Sequence, residues 1–321
     1  MSIGSSHSLG EVTSASLSGR RPVQMVTDIP PAHHRLPYFE RLRAALCEGG
    51  DALPCTLTLD GANYPGRVSL NAVMTGEVAM AWVNASHLEA IAPTLALMTQ
   101  PFGLDDLGMG KPGRSAALLD AVDRELQDSG VRALGLMRGA DQLLVYQSGA
   151  ITDVEAMAGL RVRVAGPGGY LKLMQSLGAL PVEMPVPKIQ NAFDTQQLDC
   201  VFTSPGAWKT QLFSTARHAT WIPGLMFINY FLVVNTNWLA SRPANQQMHL
   251  RRSADEQVTG AWDSMRRDDE RLLDAMRADG AQIHIVQDTA RWRNRTASMK
   301  VALDEKFGNH GQVLSRIVNS Q

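Results

Sequence analysis

Leu160-Arg161-Val162-Arg163-Val164, followed by Ala165-Gly166-Pro167-Gly168-Gly169-Tyr170, reads as a strand that runs through a glycine-rich turn into a helix. Alternation along the strand sets Arg161 and Arg163 on one face and Leu160, Val162 and Val164 on the other. The helix covers 169–177 and stops at Gly178. A short strand at 181–184, a helix at 188–197 and a strand at 199–203 complete a β-α-β-α-β unit. The same order occurs earlier, with strands at 24–29, 55–60 and 78–83 and helices at 38–48 and 67–75. Phe39, Leu42 and Leu46 form the buried face of the first helix, and Gly76 caps the second. Strands alternating with helices at this spacing predict mainly parallel sheets flanked by helices. Two such units in 321 residues predict two lobes. Ligands of open parallel sheets sit beyond the carboxyl ends of the strands, so two facing lobes predict one cleft.

The remaining elements fit around that frame. A helix is predicted at 115–127 and strands at 131–137 and 142–147. Residues 143–146 would lead from one lobe to the other, and 231–235 would lead back. A long helix over 254–278 carries a narrow apolar stripe of Val258, Trp262, Met265, Leu272 and Met276, which predicts packing across the back of the fold. A strand at 282–286 and a helix at 297–307 follow. The predicted organisation is a disordered, Ser- and Gly-rich segment at 1–22, one lobe from 23–143 plus about 230–253, a second lobe from 144–229, and a terminal region 254–321 against both.

Composition excludes several classes. Thirty Lys and Arg against 31 Asp and Glu leave a net charge of -1, too small a field to point to nucleic acid or an anionic membrane. The longest apolar run, 221–234, is broken by Pro223, Gly224 and Asn229, and is shorter than the ~20 residues a bilayer span needs. Three cysteines without regular spacing give neither a disulfide framework nor a zinc site, and Cys47 and Cys55 are expected in the core. No secretory signal is visible in 1–21. Nucleophile-elbow, zincin, Walker A and C-x-x-C patterns are all missing, and His33-His34 reads as a surface loop. Neither a metal nor a cofactor is therefore expected. The turn at 166–169 is placed to cradle an anion at a helix N-terminus. Leu171 stands at the third glycine position of a dinucleotide fingerprint, however, and Pro167 has no N–H to donate. Arg163, at a strand end near that helix, suits a carboxylate through its planar fork; a surface salt bridge is the competing reading.

At these residues a family resemblance becomes visible. Gly159-Leu160-Arg161-Val162-Arg163-Val164 resembles the G-L-K-I-R-V signature of the solute-binding proteins of TRAP transporters, the DctP family. The likeness continues through Leu177-Gly178-Ala179, Pro181-Val182-Glu183-Met184-Pro185 and Leu198-Asp199-Cys200, where the family has V-D-G. Residues 153–159 resemble its D-L-x-G lead-in, and Thr75-Gly76-Glu77-Val78-Ala79-Met80 its T/K-G-x-I-D-M segment. Gln100-Pro101-Phe102 resembles L-P-F, and Val234-Asn235-Thr236-Asn237-Trp238-Leu239 resembles V-N-K-x-W. The match runs in the same order over roughly residues 24–318.

The resemblance implies a two-lobed, type II periplasmic-binding-protein-like fold. It implies a monomeric periplasmic receptor that closes over a small organic acid and passes it to a membrane permease. Arg163 would bind the ligand carboxylate, Phe102 would line the cleft, and Thr203 stands where the family often has Asn. A second Arg common in the family is replaced in the region Asp141-Gln142-Leu143-Leu144; Gln142 can hydrogen-bond but cannot neutralise charge, so a monocarboxylate is expected. Asn84 ends a strand as Thr203 does, and Trp82, Trp208 and Tyr230 offer flat walls with a polar handle; core packing is the competing reading for each. Two alternatives remain at this point: a nucleotide-dependent enzyme using Gly166–Gly169, and a cytoplasmic ligand sensor.

Overall fold

A computed structural model describes residues 22–59, 61, 63–166, 168–184, 188–307 and 312–319, so the segment expected to be disordered lies, apart from Pro22, outside the described residues. The strands are β1 (Val23–Thr27), β2 (Cys55–Thr58), β3 (Met80–Asn84), β4 (Val131–Asp141), β5 (Leu143–Tyr146), β6 (Arg161–Val164), β7 (Leu180–Glu183), β8 (Cys200–Thr203), β9 (His218–Trp221), β10 (Phe227–Asn235) and β11 (Gln282–Ile285). They form a five-stranded sheet, β2-β1-β3-β10-β4, and a six-stranded sheet, β11-β9-β5-β8-β6-β7. In the first, β1 runs parallel to β2 and β3; in the second, β6 runs parallel to β7 and β8. These triplets are the two β-α-β-α-β units. Each sheet also holds a strand of opposite sense, β10 beside β3 and β5 beside β8.

The chain passes between the two sheets three times, the last through the helices that separate β10 from β11; the first two passages are short. Gln142 alone separates β4 from β5, and residues 222–226 separate β9 from β10. The two passages are tied where the Gln142 N–H donates to the Met226 carbonyl at 3.0 Å. Two backbone passages held side by side are a natural place for a hinge.

The helix expected at 254–278 is not continuous. Helix Ala244–Gln257 ends, a single 3-10 turn covers Thr259–Ala261, and helix Trp262–Ala278 begins. Tertiary bonds replace the helical ladder at the break. The Leu136 N–H donates to the Thr259 hydroxyl at 3.0 Å, and the Ser115 hydroxyl donates to the Thr259 carbonyl at 3.2 Å. Gly260, a poor helix former, lowers the cost of the interruption. The final long helix starts at Ala290 rather than 297, with the Asp288 carboxylate accepting from the Ala290 N–H at 2.9 Å. Cys47 is exposed because its helix ends at Leu46; all three cysteines are free thiols.

A buried ion network joins the second half of the broken helix to the first sheet. Asp269 meets Arg35 at 2.7 Å, His34 at 2.6 Å, and Arg138. Arg138 also pairs with Asp106 at 2.8 Å. Burial pushes the Asp269 carboxyl up, but Arg35, His34 and Arg138 outweigh it and hold the group at about 2. His34 is thus part of a packed network, and the His pair is not the surface loop expected.

Candidate functional site

Strands β1, β3, β6 and β8 end at one cavity of about 210 Å³. Five of the residues singled out in the sequence line it: Arg163, Thr203, Asn84, Gln142 and Tyr230. That volume lies below the ~300–1,000 Å³ typical of drug-sized sites and suits a small metabolite.

Arg163 is 8% exposed and is the only Lys or Arg among the described residues lining the cavity. Its Nε donates to the Met184 carbonyl at 3.0 Å. Among the described residues no carboxylate pairs with it, and burial pushes its pKa down to about 10. Arg161, two residues earlier on the same strand face, contrasts with it: Asp199 takes its Nη2 at 2.6 Å and its Nε at 2.8 Å. One arginine of the pair is satisfied within the protein, and the other is a desolvated cation facing a cavity. A buried charge without a partner typically costs ~3–5 kcal/mol, a cost that an anionic ligand removes.

Asn84, the last residue of β3, caps the short helix Ala85–Leu88 by accepting from the Ser86 N–H at 3.0 Å. Its side chain also reaches the phenols of Tyr170 and Tyr230. Burial pushes both phenols far up, so they are neutral donors. Tyr230 sits opposite Asn84 in the β10–β3 register, which fixes this contact in the backbone. Gln142 is 1% exposed and places its side chain at the crossing of the two chain passages, where Nε2 donates to the Ala140 carbonyl at 3.4 Å.

The other three candidates lie elsewhere. Trp82 is buried in the core of the first sheet, edge-on to Phe39 at 5.4 Å, because it points to the face covered by helix Leu36–Leu46. Trp208 is also buried; its Nε1 donates to the Ala216 carbonyl at 2.8 Å, and its ring packs edge-on against Phe213. Phe102 lines a separate groove of about 620 Å³ with Arg138, Trp221 and Phe227, and carries the Arg293 guanidinium 4.3 Å above its ring. Its N–H donates to the Gly224 carbonyl at 2.9 Å, which holds the residue away from the smaller cavity.

Sequence reasoning missed Asp28, Tyr170 and His33, which line the cavity as well. Asp28 directly follows β1 as Ala85 follows β3, but the strand expected over 24–29 runs past it, so its strand-end position was not visible. Burial raises the Asp28 carboxyl to about 6 and lowers His33 to about 3.

The glycine-rich turn holds a carboxylate against Gly168, while a Cβ on Gly166 would meet open space. A Cβ on Gly168 would lie 2.7 Å from Glu89 Oε2, so a carboxylate stands where a nucleotide phosphate would have to approach. A carboxylate at that helix N-terminus disfavours a phosphate there, which weighs against the nucleotide reading. Among the described residues no His, Cys, Asp or Glu cluster is placed to hold a metal, and no helix is long and apolar enough to cross a membrane.

The fold is shared with solved binding proteins. A TRAP periplasmic solute-binding protein from Sulfitobacter sp. NAS-14.1 with bound β-D-galacturonate matches with a TM-score of 0.83 at 12% identity, over 94% of this chain and 100% of that one. One from Citrobacter koseri with bound D-glucuronate matches at 0.83 and 18%, over 94% and 100%. An extracytoplasmic solute receptor from Bordetella pertussis binding pyroglutamic acid matches at 0.79 and 17%, over 93% and 99%. The model of the DctP family, bacterial extracellular solute-binding protein family 7, matches residues 31–305. With that family covering most of the chain and its fold present throughout, this protein belongs to the DctP family of bacterial extracellular solute-binding proteins, which are receptors and not enzymes.

Proposed function

We propose that this chain is the periplasmic receptor of a TRAP-type transporter and binds a small monocarboxylate in the cavity at the ends of β1, β3, β6 and β8. The observation that carries the proposal is Arg163, a buried guanidinium with an open cavity before it and no described carboxylate beside it. Thr203 and the Tyr170 and Tyr230 phenols supply hydrogen bonds around it, and Asn84 orients the two phenols. A single lining cation matches a single carboxylate. Sugar acids and pyroglutamic acid, bound by the structural neighbours, belong to this chemical class.

The proposed lobes are 23–143 with about 230–253, and 144–229, with 254–321 packed on both. Bending at Gln142 and 222–226 opens and closes the cleft, and ligand shifts the population toward the closed form through contacts that only it provides. The monomeric closed form is what a membrane permease would then recognise.

The test is a thermal-shift screen against carboxylic acids. A ligand at 100 times its dissociation constant stabilises by ~2.7 kcal/mol, enough for a clear rise in Tm. One or a few related acids should shift the wild type and fail to shift Arg163→Ala. Equal shifts in the variant would refute the assignment.

A further inference from the structure

Arg163 is not the only charge placed in the cavity without a protein partner. Asp28, from the end of β1, lines it from the first sheet, while Arg163 lines it from the second. Apart from Arg163 on the opposite sheet, no Lys or Arg is among the described lining residues. The two histidines on the same wall, His33 and His87, are both pushed toward the neutral form, first of all by burial. Neither therefore serves as a counter-ion. Between the two charges runs a polar chain: Tyr230 feels the Asp28 charge, Asn84 reaches both phenols, and Tyr170 feels Arg163. A cavity with a lone cation on one wall, a lone anion on the other and neutral donors between them has the charge pattern of a molecule carrying opposite charges at its two ends.

We propose that Asp28 is the second anchor of the site, and that the ligand is a small ω-amino-type acid whose carboxylate meets Arg163 while its ammonium meets Asp28. This rests on the reading of Arg163 as the carboxylate anchor and narrows the monocarboxylate to a zwitterion. Partial desolvation, which raises the free Asp28 carboxyl to about 6, is relieved when an ammonium replaces the lost water. The site as a whole is neutral, so a zwitterion enters it without leaving either buried charge unmatched.

Calorimetric titration with matched acids of three to five carbons, each ending in an ammonium, a hydroxyl or a methyl group, tests this. The wild type is expected to bind an ammonium-bearing member at least about tenfold tighter than its hydroxyl and methyl counterparts. Asp28→Asn should erase that preference while keeping the weaker, carboxylate-dependent binding of the other two. Arg163→Ala should lose the whole series. An ammonium preference that survives in Asp28→Asn, or a wild type that binds no ammonium-bearing member better than its methyl counterpart, overturns the role of Asp28. Binding of the series unchanged in Arg163→Ala overturns the carboxylate anchor instead, so the two failures are told apart.

Discussion

Gly169 and Thr99 are so close that a Cβ on the glycine would lie 2.6 Å from the threonine Cβ. Gly169 opens the helix after β6, and Thr99 ends the 3-10 helix Pro93–Thr99 in the first half of the chain. Thr99 is also fixed by Glu89, which accepts its hydroxyl at 3.1 Å. Gly169 precedes Tyr170, which lines the cavity, so adding a methyl group there should hold the two sides apart. Gly169→Ala is expected to weaken ligand binding roughly tenfold, with an overpacking cost of ~1–3 kcal/mol. Titration calorimetry reads the affinity, and small-angle scattering of the ligand-saturated variant should show a more open particle. Unchanged affinity would mean that the contact plays no part in closure.

Asp269 gathers Arg35, His34 and Arg138 in a buried network, and its removal leaves Arg35 without a carboxylate and Arg138 with Asp106 alone. Asp269→Asn should destabilise the protein by ~3–5 kcal/mol, read from denaturant unfolding. Because the folded carboxyl is held at about 2, below its ordinary 3.8, its stabilisation is present above pH ~4 and fades as pH falls toward 2. The variant should lack that acid limb.

Asp141 behaves in the opposite sense. Burial raises it to about 7, even though the Trp221 Nε1 and the Gly224 N–H donate to it at 2.8 and 2.6 Å. A carboxyl whose folded pKa lies above its unfolded value takes up protons first in the folded state. The Asp141 contribution to stability should therefore grow as pH is lowered from 8 to 5, and Asp141→Asn should remove that contribution from the pH slope. A Tm with the same pH slope in wild type and variant would contradict this.

The two β-α-β-α-β units were legible because strand alternation and helical spacing are local signals, and their observed limits differ from the expected ones by a few residues. Residue type alone could not tell an aromatic of the core from one of the cleft: Trp82 and Tyr230 read alike, yet Trp82 faces helix Leu36–Leu46 and Tyr230 faces the cavity. The break at Val258 was hidden because its cause is distant, in the bonds from Leu136 and Ser115 to Thr259. Arg138 and Asp269 lie 131 positions apart, and Asp28 sits in a proline-rich loop. Only the folded chain shows which charges meet and which are left without a partner.

The account turns on Arg163 being kept for the ligand and not for the fold. Arg163→Met removes the charge and keeps most of the bulk, so the melting of this variant, with and without the acid that stabilises the wild type, separates the two roles. The expected result is a ligand-free Tm equal to or above that of the wild type, since an unpaired buried cation is gone, together with loss of the ligand-induced rise. A ligand-free Tm several degrees lower, with the ligand-induced rise intact, would show that Arg163 serves the structure and that the anion is held elsewhere.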